Sequence, residues 1–142
     1  MNEKWFRGAL EAEIALAQGD AQRAADLYTA ASPGAKMPSN ANAPVPTSIS
    51  NDLAFPDGPA RAKRARGDLD GAIDAYRQLI TPDIASRWTL RLNPRYVLEL
   101  ARLYEQKGDS GRAREHYRRF LDLWKNADAG LPELTEARRK AS

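Results

Sequence analysis

A chain of 142 residues, 42% apolar and 29% charged, is long enough to bury a core of its own without a disulfide or metal staple. It has no cysteine and a single histidine, His116, so disulfide frameworks, thiol catalysis, zinc fingers and imidazole-based triads lose their residues. The net charge of +3 is uneven: residues 1–60 hold four basic and seven acidic side chains, leaving 18 basic and 12 acidic of the totals of 22 and 19 for the rest.

A basic second half suits acidic partners, but so small an excess does not call for nucleic acid. No stretch approaches the roughly 20 apolar residues of a membrane span. Glu3, Arg7, Glu11 and Glu13 interrupt any signal-peptide core. The expectation is a cytoplasmic protein with no membrane partner.

In chain order, the first helix pair is expected over about 3–31. Trp5, Phe6, Leu10, Ile14 and Ala17 form the apolar side of its first helix, and Ala24, Leu27, Tyr28 and Ala31 that of its second. Ser32 to Pro59 is a loop of 28 residues holding six of the nine prolines, so it cannot be helical throughout. Ile49, Leu53 and Phe55 are its candidate anchors to the helical body. A second pair spans about 60–80, short and basic from Ala60 to Arg66, then apolar at Leu69, Ala72, Ile73, Tyr76, Leu79 and Ile80.

A second loop, 81–93, contains Trp88, which either tucks onto the core or stands out as a contact residue. The third pair, about 94–125, opens on Pro94 at a first-turn position. Tyr96, Leu100 and Tyr104 form one row of it and Val97 with Ala101 another. Ala113, Tyr117, Phe120, Leu121 and Trp124 make the facing stripe. A final helix over about 131–141 starts at Leu131-Pro132 and ends on Arg138, Arg139 and Lys140, where the helix dipole favours cations. It reads as a polar-backed cap.

The pairs share a signature. Gly19-Asp20, Gly67-Asp68 and Gly108-Asp109 are each followed by alanine five residues after the glycine (Ala24, Ala72, Ala113) and tyrosine nine after (Tyr28, Tyr76, Tyr117). Glycine ends one helix in the left-handed conformation and aspartate caps the next. Alanine and tyrosine four apart share a helical face, the small residue admitting a neighbour and the ring filling the space beside it. The glycines are 48 and 41 residues apart, longer than the 34 of a regular helix-pair repeat, and the excess falls in the two loops.

These residues resemble tetratricopeptide repeats. The third copy carries Ala101, Tyr104, Gly108, Ala113 and Tyr117 at the family's spacing. The second carries Ala60, Gly67, Ala72 and Tyr76, and the first Ala12, Gly19, Ala24, Tyr28 and Ala31. The run from Pro94 to Asp128 is also similar to the C-terminal end of repeat regions in large bacterial regulators bearing a serine/threonine kinase or winged-helix domain. No kinase motif or winged-helix segment occurs in these residues.

The resemblance implies an all-α fold: a right-handed α-solenoid of about three degenerate helix hairpins plus the C-terminal capping helix, in a single domain over 1–142. It also implies a protein-binding module whose first helices line a concave groove. Aligned on the turn glycines, those helices place Ala9, Glu13 and Leu16, then Arg61 and Arg64, then Arg95, Leu98, Arg102 and Gln106 along the groove. The candidate partner-binding residues are Arg61, Arg64, Arg95, Leu98, Arg102 and Gln106, and a basic groove suits an acidic protein or peptide. Family members that clamp a terminal carboxylate use Lys and Asn where this chain has Ala9 and Glu13, so that clamp is absent.

No catalytic constellation is present. There is no P-loop, dinucleotide fingerprint or nucleophile elbow, and His116 has no second ligand residue to join it. No catalytic residue, metal site or cofactor is expected. The leading reading is a non-enzymatic scaffold or sensor. The runner-up is a structural or self-associating tail of a larger regulator, and a nucleic-acid accessory surface on the basic runs ranks third.

Overall fold

The computed structural model describes residues 3–31, 56–81, 93–128 and 130–142. The loop positions Ile49, Leu53, Phe55 and Trp88, and the side chain of Trp5, lie outside the described residues. Every regular element among those residues is a helix: α1 (Glu3–Ala17), α2 (Ala21–Ala31), α3 (Gly58–Ala65), α4 (Leu69–Ile80), α5 (Pro94–Gln106), α6 (Ser110–Leu123) and α7 (Pro132–Ala141). No helix among the described residues is long and apolar enough to cross a membrane.

One backbone device ends α1, α3 and α5. Gly19, Gly67 and Gly108 sit at φ of 81°, 81° and 86°, the left-handed region in which a Cβ is strained. The N–H of Asp109 donates to the carbonyl of Tyr104 at 2.9 Å and that of Gly108 to Glu105 at 3.0 Å, the paired bonds of a Schellman motif. Asp20 to Ala15 with Gly19 to Leu16, and Asp68 to Lys63 with Gly67 to Arg64, repeat the pattern.

The aspartate also opens the next helix. Asp20 Oδ1 accepts from the N–H of Arg23, and Asp109 Oδ1 from that of Arg112, each at 3.0 Å. A single residue thus closes one helix and caps the following one, which fixes a very short connection. Pro59, Pro94 and Pro132 stand in the first turns of α3, α5 and α7, where a missing N–H costs nothing. Asn93 caps α5 by accepting from the N–H of Arg95 at 3.0 Å.

Packing divides the chain into two compact units, Met1–Asp68 and Leu69–Ser142. The division falls at the second Gly-Asp turn, so the helices expected as the middle pair belong one to each unit.

In the first unit α1 packs on α2, and α3 packs on both. Its core is Ala12, Ala15, Ala24, Ala62 and Tyr28. Here the sequence expectation is corrected. Phe6, Leu10 and Ile14 are not the inward side of α1; they are 44%, 44% and 50% exposed, while Ala9, Ala12 and Ala15 are buried. The reason is proximity. α1 and α2 run so close that a Cβ built on Gly8 would sit 3.0 Å from the Cβ of Ala31, and Gly58 of α3 lies against the ring of Tyr28 from α2. Helices that approach this closely accept alanine between them and exclude larger side chains.

In the second unit α5 packs on α4 and α6, and α7 closes over α6. Ile73, Tyr76, Val97, Leu98, Leu100, Leu103, Tyr117, Phe120 and Leu134 fill this interior. Rings couple the layers. Tyr76 of α4 lies 5.9 Å from Tyr96 of α5, and Tyr104 of α5 lies 5.1 Å from His116 of α6. Lys107, just past α5, pairs with Asp70 at the start of α4.

Candidate partner-binding surface

The first helix of each pair, α1, α3 and α5, carries the candidate residues. Six residues before each turn glycine stand Glu13, Arg61 and Arg102. In the first unit two of these equivalent positions meet: Arg61 grips Glu13 through both guanidinium ends, with Nη1 donating to Oε2 at 3.0 Å and Nη2 to Oε1. Tyr28 donates its hydroxyl to the same carboxylate, and Arg61 Nε is 3.3 Å from Asp57.

In the second unit Arg102 makes the corresponding fork to Glu136 of α7, Nε to Oε1 at 2.9 Å and Nη2 to Oε2 at 2.5 Å. Its Nη1 donates to Glu99 at 2.5 Å. Glu136 lies 34 residues after Arg102, the period of a regular helix-pair repeat. The final helix therefore sits as the first helix of a fourth repeat. Arg95 with Glu133 at 4.0 Å and Lys140 with Glu105 add rungs on either side, so α5 and α7 run parallel along a charge ladder. Tyr117 donates to Glu105 at 2.9 Å.

The electrostatics follow from these contacts. Burial pushes Glu13 up, but the bonds from Arg61 and Tyr28 outweigh it and hold the carboxyl below its ordinary value. Arg102 holds Glu136 down, and Lys140 does the same for Glu105. Burial, then the neighbouring carboxylate, raises Tyr28 and Tyr117 above the usual phenol range. Arg61 is raised by its acids against an opposing desolvation, and Arg102 chiefly by Glu136.

The six candidates thus divide. Arg95, Arg102 and Gln106 share one line of α5, at spacings of seven and four residues. Arg95 and Gln106 are exposed, and Arg102 is half-buried in its ladder. Leu98 is 2% exposed and belongs to the core of the second unit. Arg61 and Arg64 lie in the first unit, both half-buried. Sequence reasoning placed Glu13 along the groove without pairing it to Arg61, and it missed Glu99, Glu133 and Glu136, the acids that answer the arginines of α5. The opposite charges at Glu13 and Arg61, equidistant from their turn glycines, were the available signal.

His116 has a structural role: its ring packs on Tyr104 and its Nδ1 lies 2.8 Å from the Arg112 carbonyl. No group of three or more metal-ligating side chains occurs among the described residues. The outer side of α6 forms an open recess of about 450 Å³, lined by Gly111, Arg114, Glu115, Arg118, Arg119 and Asp122. It is built from one helix face and mixes both charges.

Helices closed by one repeated turn, with every regular element among the described residues a helix, define a helical-repeat fold. Residues 97–127, covering nearly all of α5 and α6, match the family model described as tetratricopeptide repeat. That segment is thus similar to a tetratricopeptide repeat, and the described residues form an all-helical repeat fold. No curated protein is similar enough to match it.

Proposed function

We propose that the chain is a non-enzymatic protein-binding module that takes an acidic protein or peptide on the surfaces of its first-type helices. Tetratricopeptide repeats as a class mediate protein–protein interaction, and the matched segment contains most of the candidate line on α5. The observation that carries the reading is the alignment of Arg95, Arg102 and Gln106 on one face of α5, with Arg102 already held by Glu99 and Glu136. A guanidinium fixed before binding loses less rotamer freedom when a partner arrives. Leu98 supports this helix from behind. In the first unit, Arg64 beside the Arg61–Glu13 pair offers a second, separate cationic point.

The test must leave the two arginine–glutamate forks intact, because reversing Arg61 or Arg102 would strand a partly buried acid. Arg95→Glu with Gln106→Glu changes exposed positions and gives up only the long Arg95–Glu133 contact at 4.0 Å. A photo-crosslinking side chain at Gln106 is compared with one at Glu115 on α6, in source lysate, at low and high salt. The expected outcome is an acidic protein captured at position 106 and not at 115, lost on the Arg95→Glu, Gln106→Glu background and weakened by salt. Equal capture at both positions moves the contact off α5.

A further inference from the structure

We propose that the outer face of α6, with the flank of α7 beside it, docks the phosphate backbone of duplex nucleic acid. α6 carries four arginines against two acids, Glu115 and Asp122. Arg112 is already engaged: it lies 3.6 Å from Asp109 and stacks over the Tyr104 ring. Arg114, Arg118 and Arg119 are exposed and have no acid partner among the described residues. Arg118 donates instead from Nε to the backbone carbonyl of Ala141 at 3.2 Å, which brings the end of α7 against α6. Arg138 stands three residues before Ala141 on the same side of α7, and its exposed guanidinium is unpaired among the described residues. The arginines of α5 differ, since Arg102 is answered by Glu99 and Glu136 and Arg95 by Glu133. Four arginines without an acid partner therefore stand together on the α6 side of the second unit.

The lining of this face selects its occupant. The recess is walled by Gly111, three arginines and the two acids, with no apolar or aromatic side chain among them. A protein–protein contact is depleted of charge at its core and enriched in aromatic residues there. Interfaces with nucleic acid are more polar and much more positively charged. Guanidinium groups fork onto phosphate oxygens with matching geometry. With no ring on the face to stack a base, the fit is to duplex backbone and not to a single strand. Arg114 and Arg118 stand one turn apart, about 6 Å along α6. A duplex presents a charge every ~1.7 Å of its axis, so several phosphates fall within reach of the four arginines. Glu115 and Asp122 share the recess and oppose phosphate, which makes the binding weak. It is also indifferent to base sequence and sensitive to salt. This inference is independent of the α5 reading, because it uses a different helix and a different class of partner.

The probe is a fluorescent short duplex DNA of mixed sequence, titrated with the full chain and read by anisotropy. Four phosphate contacts give a slope of about −3.6 in log affinity against log salt, a loss of roughly 150-fold between about 50 and 200 mM. Arg114→Gln with Arg119→Gln removes two exposed guanidinium groups that hold nothing in the fold, and should make the slope shallower by about 1.8 at unchanged helical content. Arg23→Gln with Arg66→Gln, exposed in the first unit, makes the same change in net charge and should leave affinity and slope as they are. Absence of binding at the lower salt overturns the proposal. So does a slope that the α6 pair leaves intact, or one that both pairs alter equally. A polyglutamate peptide that binds as tightly as the duplex, and is lost with the same two arginines, gives the face to an acidic protein instead.

Discussion

Among the described residues of the first unit, the buried apolar side chains are alanines gathered around the ring of Tyr28. In the second they are Val97, Leu98, Leu100, Leu103, Tyr76, Tyr117 and Phe120, each 2% exposed or less. Both units nevertheless place an arginine–glutamate fork between first-type helices, and in both a tyrosine hydroxyl binds a glutamate of that network. The comparison separates two sources of stability. A fully buried large side chain contributes about 1.5–3 kcal/mol and a methyl group much less. The first unit is thus held by close approach and a shared carboxylate, the second by volume. Amides of α1 and α2 should exchange with solvent sooner than those of α5 and α6, which hydrogen-exchange mass spectrometry can read.

Substitutions sharpen that contrast, beginning with the largest effect. Phe120→Ala should cost roughly 3–5 kcal/mol in denaturant melts, because Phe120 is 0% exposed between packed helices. An equal loss from Leu10→Ala in α1 would contradict the assignment of Leu10 to the surface; the expected change there is within about 0.5 kcal/mol. Gly58→Ala should cost roughly 1–3 kcal/mol, since the new Cβ meets the Tyr28 ring that Glu13 holds in place. If that substitution is silent, close approach is not what holds the first unit.

Asp20→Ala and Asp109→Ala should each cost about 1 kcal/mol, one in each unit, because the two aspartates cap in the same way. The acid response comes last. Glu13, Glu105 and Glu136 are held below their ordinary values in the folded chain. The unfolded chain therefore takes up protons first as pH falls through about 4.3. Stability from these groups is complete above that pH and is lost below it, as the folded carboxyls titrate in turn. At the alkaline end Tyr28 and Tyr117 keep their protons longer when folded, so stability declines as pH rises past about 10. Circular dichroism across both ranges tests the two signs.

Much of this architecture is legible in the residues alone. Gly-Asp with alanine and tyrosine at fixed offsets specifies where first helices end and second helices begin, because turn geometry is local. The inward face of α1 was not legible. Phe6, Leu10 and Ile14 outrank Ala9, Ala12 and Ala15 in hydrophobicity, yet the alanines are the buried ones, on a helix that comes so close to α2 that a Cβ on Gly8 would sit 3.0 Å from that of Ala31. The arginines of the candidate surface show the same limit. Their charge is plain in the sequence, but the acids that hold Arg61 and Arg102 stand 48 and 34 residues away. Only an alignment of the helices against one another brings them together.

The double use of aspartate in each turn has a consequence for how such a chain can change length. Asp20 and Asp109 each supply the N–H that terminates one helix and the oxygen that initiates the next. A residue inserted there would separate the two roles, so the turns do not tolerate insertion. Extra sequence lies between pairs instead: the turn glycines are 48 and 41 residues apart, against the 34 of a regular helix-pair repeat. Grafted epitopes, cleavage sites or reporter domains belong after Ala31 or Thr81, never at a Gly-Asp step.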